Sequence, residues 1–296
     1  MFRLNKSQRR FLQTILFSLT PIFLPFLCIL ESFPISVLRK IAKFFSLLWW
    51  IVPSRRKRIA MANLRLIFSE NESRKILRTA MENFLFFALE TLKLSKASKE
   101  EILERVFLKG KENLERIKEG GILVSCHLGN FPLICFRLSL EGLRIGVVIK
   151  LPRDPFLAKM VKGRGEKWGL IFIEIDDRYE TVLRVQKFLK EGGVLLLMLD
   201  QNPRSRGVIV PFLGLPTPTY RTPLLLAQKT RLPLLPVFIY QKKGKHYLEV
   251  LEPFNLSKDP FKDLEALNAI IQRYVSSFPE QWWWWHRRWR NILSYQ

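Results

Sequence analysis

The chain has 296 residues, enough to bury a sizeable core, and its 49 Lys and Arg against 26 Asp and Glu give a net charge of +23. That excess goes far beyond what solubility needs and points to anionic partners. With 48% hydrophobic residues, 23 Phe and 8 Trp, a phosphate-bearing lipid surface fits at least as well as nucleic acid, for which no helix-turn-helix, zinc-finger or RNA-binding signature is present.

Behind the basic start MFRLNKSQRR, the uncharged stretch from Phe11 to Leu30 is long enough as a helix to cross a bilayer core of about 30 Å. Pro21 and Pro25 each remove a backbone donor that hydrocarbon cannot replace, so spanning the bilayer and lying in its interface both stay open. No small-x-small site follows, which argues against a cleaved secretory signal. A second apolar run, Ile41 to Val52, carries Trp49 and Trp50 and meets Arg55, Arg56, Lys57 and Arg58. This is the composition of a helix at headgroup level, or of a core helix with a solvated basic end. Residues 1–53 are therefore expected to form a membrane anchor and interfacial helix, and residues 54–296 the main domain on the cytoplasmic side.

From Arg74 to Leu94, Ile76, Leu77, Ala80, Phe84, Phe87, Ala88 and Leu92 recur at helical spacing and predict a helix packed along one face. Short β-rich runs follow at 121–127, 144–150, 170–175, 193–200 and 232–240, with helical stretches between most of them. Near-continuous apolar strands alternating with helices predict an α/β fold with a mostly parallel central sheet flanked by helices. The three cysteines, Cys28, Cys126 and Cys135, are too few and too oddly spaced for a disulfide framework or a four-ligand zinc site, and suggest a reducing compartment.

Reactive groups in such sheets collect at the carboxyl ends of strands. His127 follows the run GILVSC, and Asn130 and Pro132 suit the cap and first turn of a helix behind it. A helix N-terminus disfavours imidazolium, so His127 is expected neutral and able to accept a proton, unless it is only a histidine satisfied within a strand-to-helix turn. Cys126, adjacent along a strand, should point to the opposite face and so is no nucleophile for it. Asp200 ends the run GVLLLMLD and should reach the same crevice rim, as an acid either beside His127 or capping a loop. Arg164, in KGRGEKWG, and Arg204 or Arg206 offer bidentate donors for a lipid phosphate, and Gln201 and Asn130 offer amides around the site. His286 lies among Trp282 to Trp285, Arg287, Arg288 and Trp289, a composition suited to the interface and to basic contact with headgroups, which makes it structural or lipid-contacting.

The stretch HLGNF after an apolar strand resembles the His-Phe-Gly-Asn-Trp-Glu element of the lipid A biosynthesis acyltransferases, the late lauroyl and myristoyl transferases. Asn63 to Glu70 (NLRLIFSE), 199–214 (LDQNPRSRGVIVPFLG) and 279–290 (PEQWWWWHRRWR) resemble three further elements of that family, in order. The resemblance runs from about residue 35 to 290. It implies a glycerolipid acyltransferase-like α/β fold and an inner-membrane location. It also implies transfer of an acyl chain from acyl carrier protein, or acyl-coenzyme A, to a hydroxyl of an anionic glycolipid, with His127 as base and no metal or other cofactor. A lysophospholipid or a mannosylated phosphoinositide as acceptor, and a lipid-binding relative without catalysis, are the alternatives. One departure stands out: where the family follows its histidine, after four residues, with a carboxylate, this chain has Pro132. Asp200 is then the acid expected to take its place.

Overall fold

The computed structural model describes residues 26–203 and 207–295. The predicted segment Phe11 to Leu30 therefore falls mostly outside the described residues, and Arg204 and Arg206 fall outside them altogether. Among the described residues no helix is long and apolar enough to cross a membrane.

Residues 26–32 are helical and lead into α1 (Ile35–Ile51), which packs along α3 (Glu70–Leu94) through Leu38, Ala42 and Ser46. Its opposite face leaves Phe44, Phe45, Leu47, Leu48 and Ile51 exposed, so α1 is apolar on two faces and covered on one. Helix α2 (Arg55–Leu64) starts at Ser54, whose hydroxyl accepts from the Lys57 amide. Helix α3 opens on a capping box of Ser69 and Glu72, which satisfies two amides left free at a helix start.

A seven-stranded sheet forms the centre in the order β1-β9-β8-β2-β5-β3-β4. Its strands are β1 (Val106–Lys109), β2 (Gly121–Ser125), β3 (Ile145–Ile149), β4 (Ile171–Glu174), β5 (Val194–Met198), β8 (Leu234–Lys242) and β9 (Lys245–Val250). Every pairing is parallel except β8 with β9. The five runs predicted from apolar content are β2, β3, β4, β5 and β8.

Both faces of the sheet are buried. Ile122, Val124 and Leu195 join one hydrophobic cluster, with α9 (Pro260–Ser277) and the tryptophans near the carboxyl end. Leu123, Val194 and Leu196 join a second, with α5 (Pro132–Ser139). That double coverage is why these strands read as unbroken apolar runs. Helices α4 (Lys99–Arg105), α6 (Pro155–Lys167), α7 (Arg178–Lys190) and α8 (Thr222–Thr230) complete the layers.

A separate hairpin, β6 (Val208–Phe212) with β7 (Leu215–Thr219), leans on α9. Leu213 and Gly214 both have positive φ at its two-residue turn, the conformation that matches strand twist in a tight hairpin.

Candidate active site

Strand register builds the site. Ser125 of β2 lies opposite Met198 of β5, so two residues further on, past both carboxyl ends, His127 and Asp200 stand level on neighbouring strands. Parallel strands lie about 4.8 Å apart, within reach of one side chain for the next. His127 Nδ1 lies 2.8 Å from Asp200 Oδ1, and the His127 amide donates to Asp200 Oδ2 at 3.0 Å. The indole Nε1 of Trp282 donates to the same Oδ2 at 2.8 Å. Three bonds thus fix a carboxylate that is 2% exposed beside an imidazole that is 18% exposed.

Burial raises the Asp200 carboxyl, but the charge and hydrogen bond of His127, with the two further donors, outweigh it and hold the group at about 2. Burial lowers the His127 imidazole, and the charge and hydrogen bond of Asp200 more than reverse this, so its pKa lies above the usual value. The expectation that a helix N-terminus keeps His127 neutral is corrected on this point: the buried carboxylate, not the helix, sets its affinity for a proton. With Nδ1 on Asp200, Nε2 is the free position. The Gln201 amide nitrogen lies 3.4 Å from it.

The turn after His127 is tight. Gly129 has φ +56°, and a Cβ there would sit 2.5 Å from the carbonyl oxygen of Ile239, so only glycine fits. Residues 279–285 run alongside: Trp283 N donates to His127 O at 3.0 Å and Gly129 N to Gln281 O at 3.0 Å. Phe131 meets the imidazole edge-on, with ring centroids 4.9 Å apart.

Two cavities meet at His127, sharing Ala88, Thr91, Phe131 and Pro132 on their walls. One, of about 480 Å³, runs between α3, β3 and α6 and is walled mainly by apolar groups such as Val147, Ile149, Met160, Phe172 and Met198. The other, of about 220 Å³, lies between α3 and the carboxyl-terminal segment, walled by Phe84, Phe87, Trp283 and Trp285 with Asn83 and Glu280.

Other expected residues sit elsewhere or do other work. Asn130 does not cap α5, whose N-cap is Phe131 without a side-chain bond. It lines the smaller cavity but is fully buried, with its amide nitrogen donating to Glu90 and its oxygen accepting from the Thr91 hydroxyl, so both polar atoms are held by the protein. Arg164 lines the larger cavity, but its guanidinium pairs with Glu31 and donates to Leu92 O at 2.7 Å and Ser95 Oγ at 2.9 Å. A lipid phosphate would have to compete with a carboxylate that also pairs with Lys96 at 2.6 Å. Cys126 is buried in the cluster on one sheet face, and burial pushes its thiol well above the usual range, with the Asp200 charge adding to it.

The tryptophans near the carboxyl end are core rather than interface. Trp282, Trp284, Trp285 and Trp289 are all at most 4% exposed and pack on one another and on Phe68, Phe84 and Phe212. His286 is wedged into this cluster, where burial lowers its pKa to about 4. Asn63 of the NLRLIF segment donates to Trp284 O and His286 O at 2.8 and 2.7 Å, tying two distant sequence elements together.

Sequence reasoning missed Trp282 as a partner of Asp200. It also missed Arg288, fully buried, which donates to Gln201 O, Pro218 O and Thr219 Oγ1 and so clamps the loop after Asp200. An Arg inside an aromatic run was the available signal.

The family model described as bacterial lipid A biosynthesis acyltransferase matches residues 4–291. The chain is similar to a solved structure, the 1-acyl-sn-glycerophosphate (LPA) acyltransferase PlsC from Thermotoga maritima, with 18% identity, 83% of this chain and 97% of that chain covered, and a TM-score of 0.40. A comparison with the curated proteins gives no match.

Proposed function

The chain belongs to the bacterial lipid A biosynthesis acyltransferase family, and from that premise we propose that His127 is the general base for moving a fatty acyl chain from a thioester onto a hydroxyl of an anionic glycolipid. The protein is a lipid acyltransferase. One observation carries the finer reading: His127, held by Asp200 at 2.8 Å, stands where a large apolar cavity meets a smaller aromatic one.

A long hydrocarbon suits the larger cavity, since each buried methylene contributes about 0.8 kcal/mol. An acceptor hydroxyl entering by the other would be brought against the thioester carbonyl beside the imidazole. Nε2 takes the hydroxyl proton as oxygen attacks the carbonyl carbon, the C–O bond forms, the C–S bond breaks, and the proton passes to the departing thiolate. Asp200, on Nδ1, fixes the tautomer and stabilises the imidazolium in between. The Gln201 amide is placed to steady negative charge near Nε2. No thiol intermediate is required.

The net charge of +23 favours encounter with an acidic carrier protein as donor and with a phosphorylated acceptor. The exposed apolar face of α1, next to Arg55, Arg56 and Arg58, supports docking on an anionic membrane, for which the inner leaflet facing the cytoplasm is the natural site. The deciding experiment incubates purified protein with an acyl-carrier-protein thioester or acyl-coenzyme A and, in separate assays, a lipid A precursor, a lysophospholipid and a mannosylated phosphoinositide. Acylation of the lipid A precursor alone is expected. Acylation of another acceptor instead would overturn the assignment.

A further inference from the structure

Beneath the turn that carries His127 lies a second buried histidine and carboxylate, on the far side from Asp200. The His246 ring Nε2 lies 2.8 Å from Glu90 Oε2, and Asn130 Nδ2 donates to that same oxygen at 2.9 Å. Thr91, next to Glu90 on α3, donates its hydroxyl to Asn130 Oδ1 at 2.5 Å. The side chains of His246 and Glu90 are 1% and 3% exposed. Neither lines the two cavities at His127.

The turn is tied down separately one residue earlier: the Gln241 backbone amide donates to Gln281 Oε1 at 2.8 Å, and Gln281 O accepts from Gly129 N. Glu90 is bonded to the turn at Asn130.

A histidine and carboxylate pair buried this deep is a poor way to gain stability, because well-packed apolar residues of similar volume usually do as well. Its best-attested use is to fix one arrangement against near alternatives. What it fixes here is the segment between His127 and α5. We propose that Glu90, held by His246, is a positioning residue for acyl transfer, locking Asn130 so that Nε2 of His127 stays aimed at the junction of the two cavities. The proposal rests on His127 acting as the base.

Asn130→Ala leaves the Glu90 and His246 pair intact and removes only its bond to the turn. A misplacement of about 1 Å at a reacting group costs about 10²-fold in rate, so kcat should fall by about that factor with the KM for the acyl donor unchanged. Asn130→Asp sets two carboxylates 2.9 Å apart and should be at least as slow. Adding Glu90→Gln reverses the polarity of the bond, with Gln donating to Asp, and should bring kcat back to within a few-fold of wild type. All variants are compared well below their melting temperatures, with circular dichroism confirming the fold and His127→Ala as reference.

If His127→Ala is inactive while folded Asn130→Ala turns over at the wild-type rate, the positioning role is overturned. The same holds if the double variant is folded but no faster than Asn130→Ala. Wild-type turnover by His127→Ala would overturn the reading of His127 itself, and this role with it.

Discussion

Two histidines in this protein have a carboxylate oxygen at 2.8 Å, and they do opposite things with it. His246 is sealed: Nε2 is taken by Glu90, and Nδ1 is buried with no partner in hydrogen-bond reach among the described residues. His127 is bonded to Asp200 through Nδ1, which leaves Nε2 toward open space at the meeting of two cavities. The pairing motif is the same. Access for one nitrogen separates a group that can exchange a proton with a substrate from one that can only hold structure. The carboxylates differ as well, since Asp200 takes three donors around one imidazole while Glu90 divides its hydrogen bonds between a ring and the turn below it.

The harshest way to break the contrast is to remove the accessible ring. His127→Ala should eliminate detectable transfer, a loss of about 10⁴-fold or more, with the circular dichroism spectrum unchanged. Next comes its acid. Asp200→Asn should lower kcat by several hundredfold with little change in acceptor KM, since the amide can neither fix the tautomer nor stabilise imidazolium.

The pH behaviour follows from the same pair. His127 must be neutral to act as base, so the acid limb of the wild-type kcat/KM profile should fall above the ordinary imidazole value of about 6.5. In Asp200→Asn only burial remains, and the limb should move below it. For stability the signs are opposite. Asp200 contributes above its unfolded value of about 3.9, and this is lost as pH falls toward about 2. His127 contributes fully below about 6.5, and this is lost as pH rises through its raised value. Denaturation of wild type against Asp200→Asn should therefore differ most between about pH 4 and 6.5.

The parallel core was legible because its strands are buried on both faces and read as apolar runs. Strands β1 and β9 were not, since VFLK and KHYLEV are short and charged. The hairpin of β6 and β7 hid behind Pro211, Pro216 and Pro218, which argue against a strand unless the ladder is free of them on one side. His127 and Asp200 could be found because each ends such a run, and a shared register brings run ends together. Asn130 and Arg164 were visible as polar groups near the site, but their partners Glu90 and Glu31 were not, and a polar side chain whose partner is inside the protein looks the same in sequence as one awaiting a ligand. The tryptophan run left a structural and a lipid-contacting reading open for a related reason: composition alone does not distinguish an aromatic core from a membrane belt.

A gentler perturbation sharpens the comparison by loosening Asp200 without removing it. Trp282→Phe keeps an aromatic ring in the core and deletes the indole donor to Oδ2. A hydrogen bond to a charged group contributes about 1.5–3 kcal/mol, so turnover should fall by roughly tenfold or somewhat more, and the acid limb should shift slightly upward as Asp200 holds more of its charge for His127. Unaltered turnover would show that the two bonds from His127 suffice.

The smallest effect on chemistry is expected farthest from both histidines, on the outer face of α1. Ile51 is 75% exposed and Leu48 45%, and the exposed Arg55 and Arg58 follow within a few residues in sequence. If that face lies in a bilayer surface, each side chain gains roughly 1.5–3 kcal/mol on transfer out of water. Leu48→Glu with Ile51→Glu would then weaken binding to vesicles of anionic phospholipid by more than tenfold, through lost burial and added like charge. Transfer to a short-chain, water-soluble acceptor should stay within twofold of wild type. Equal vesicle binding by the double variant would mean that the basic side chains or the segment before residue 26 carry the attachment, and that the exposed face of α1 serves another contact.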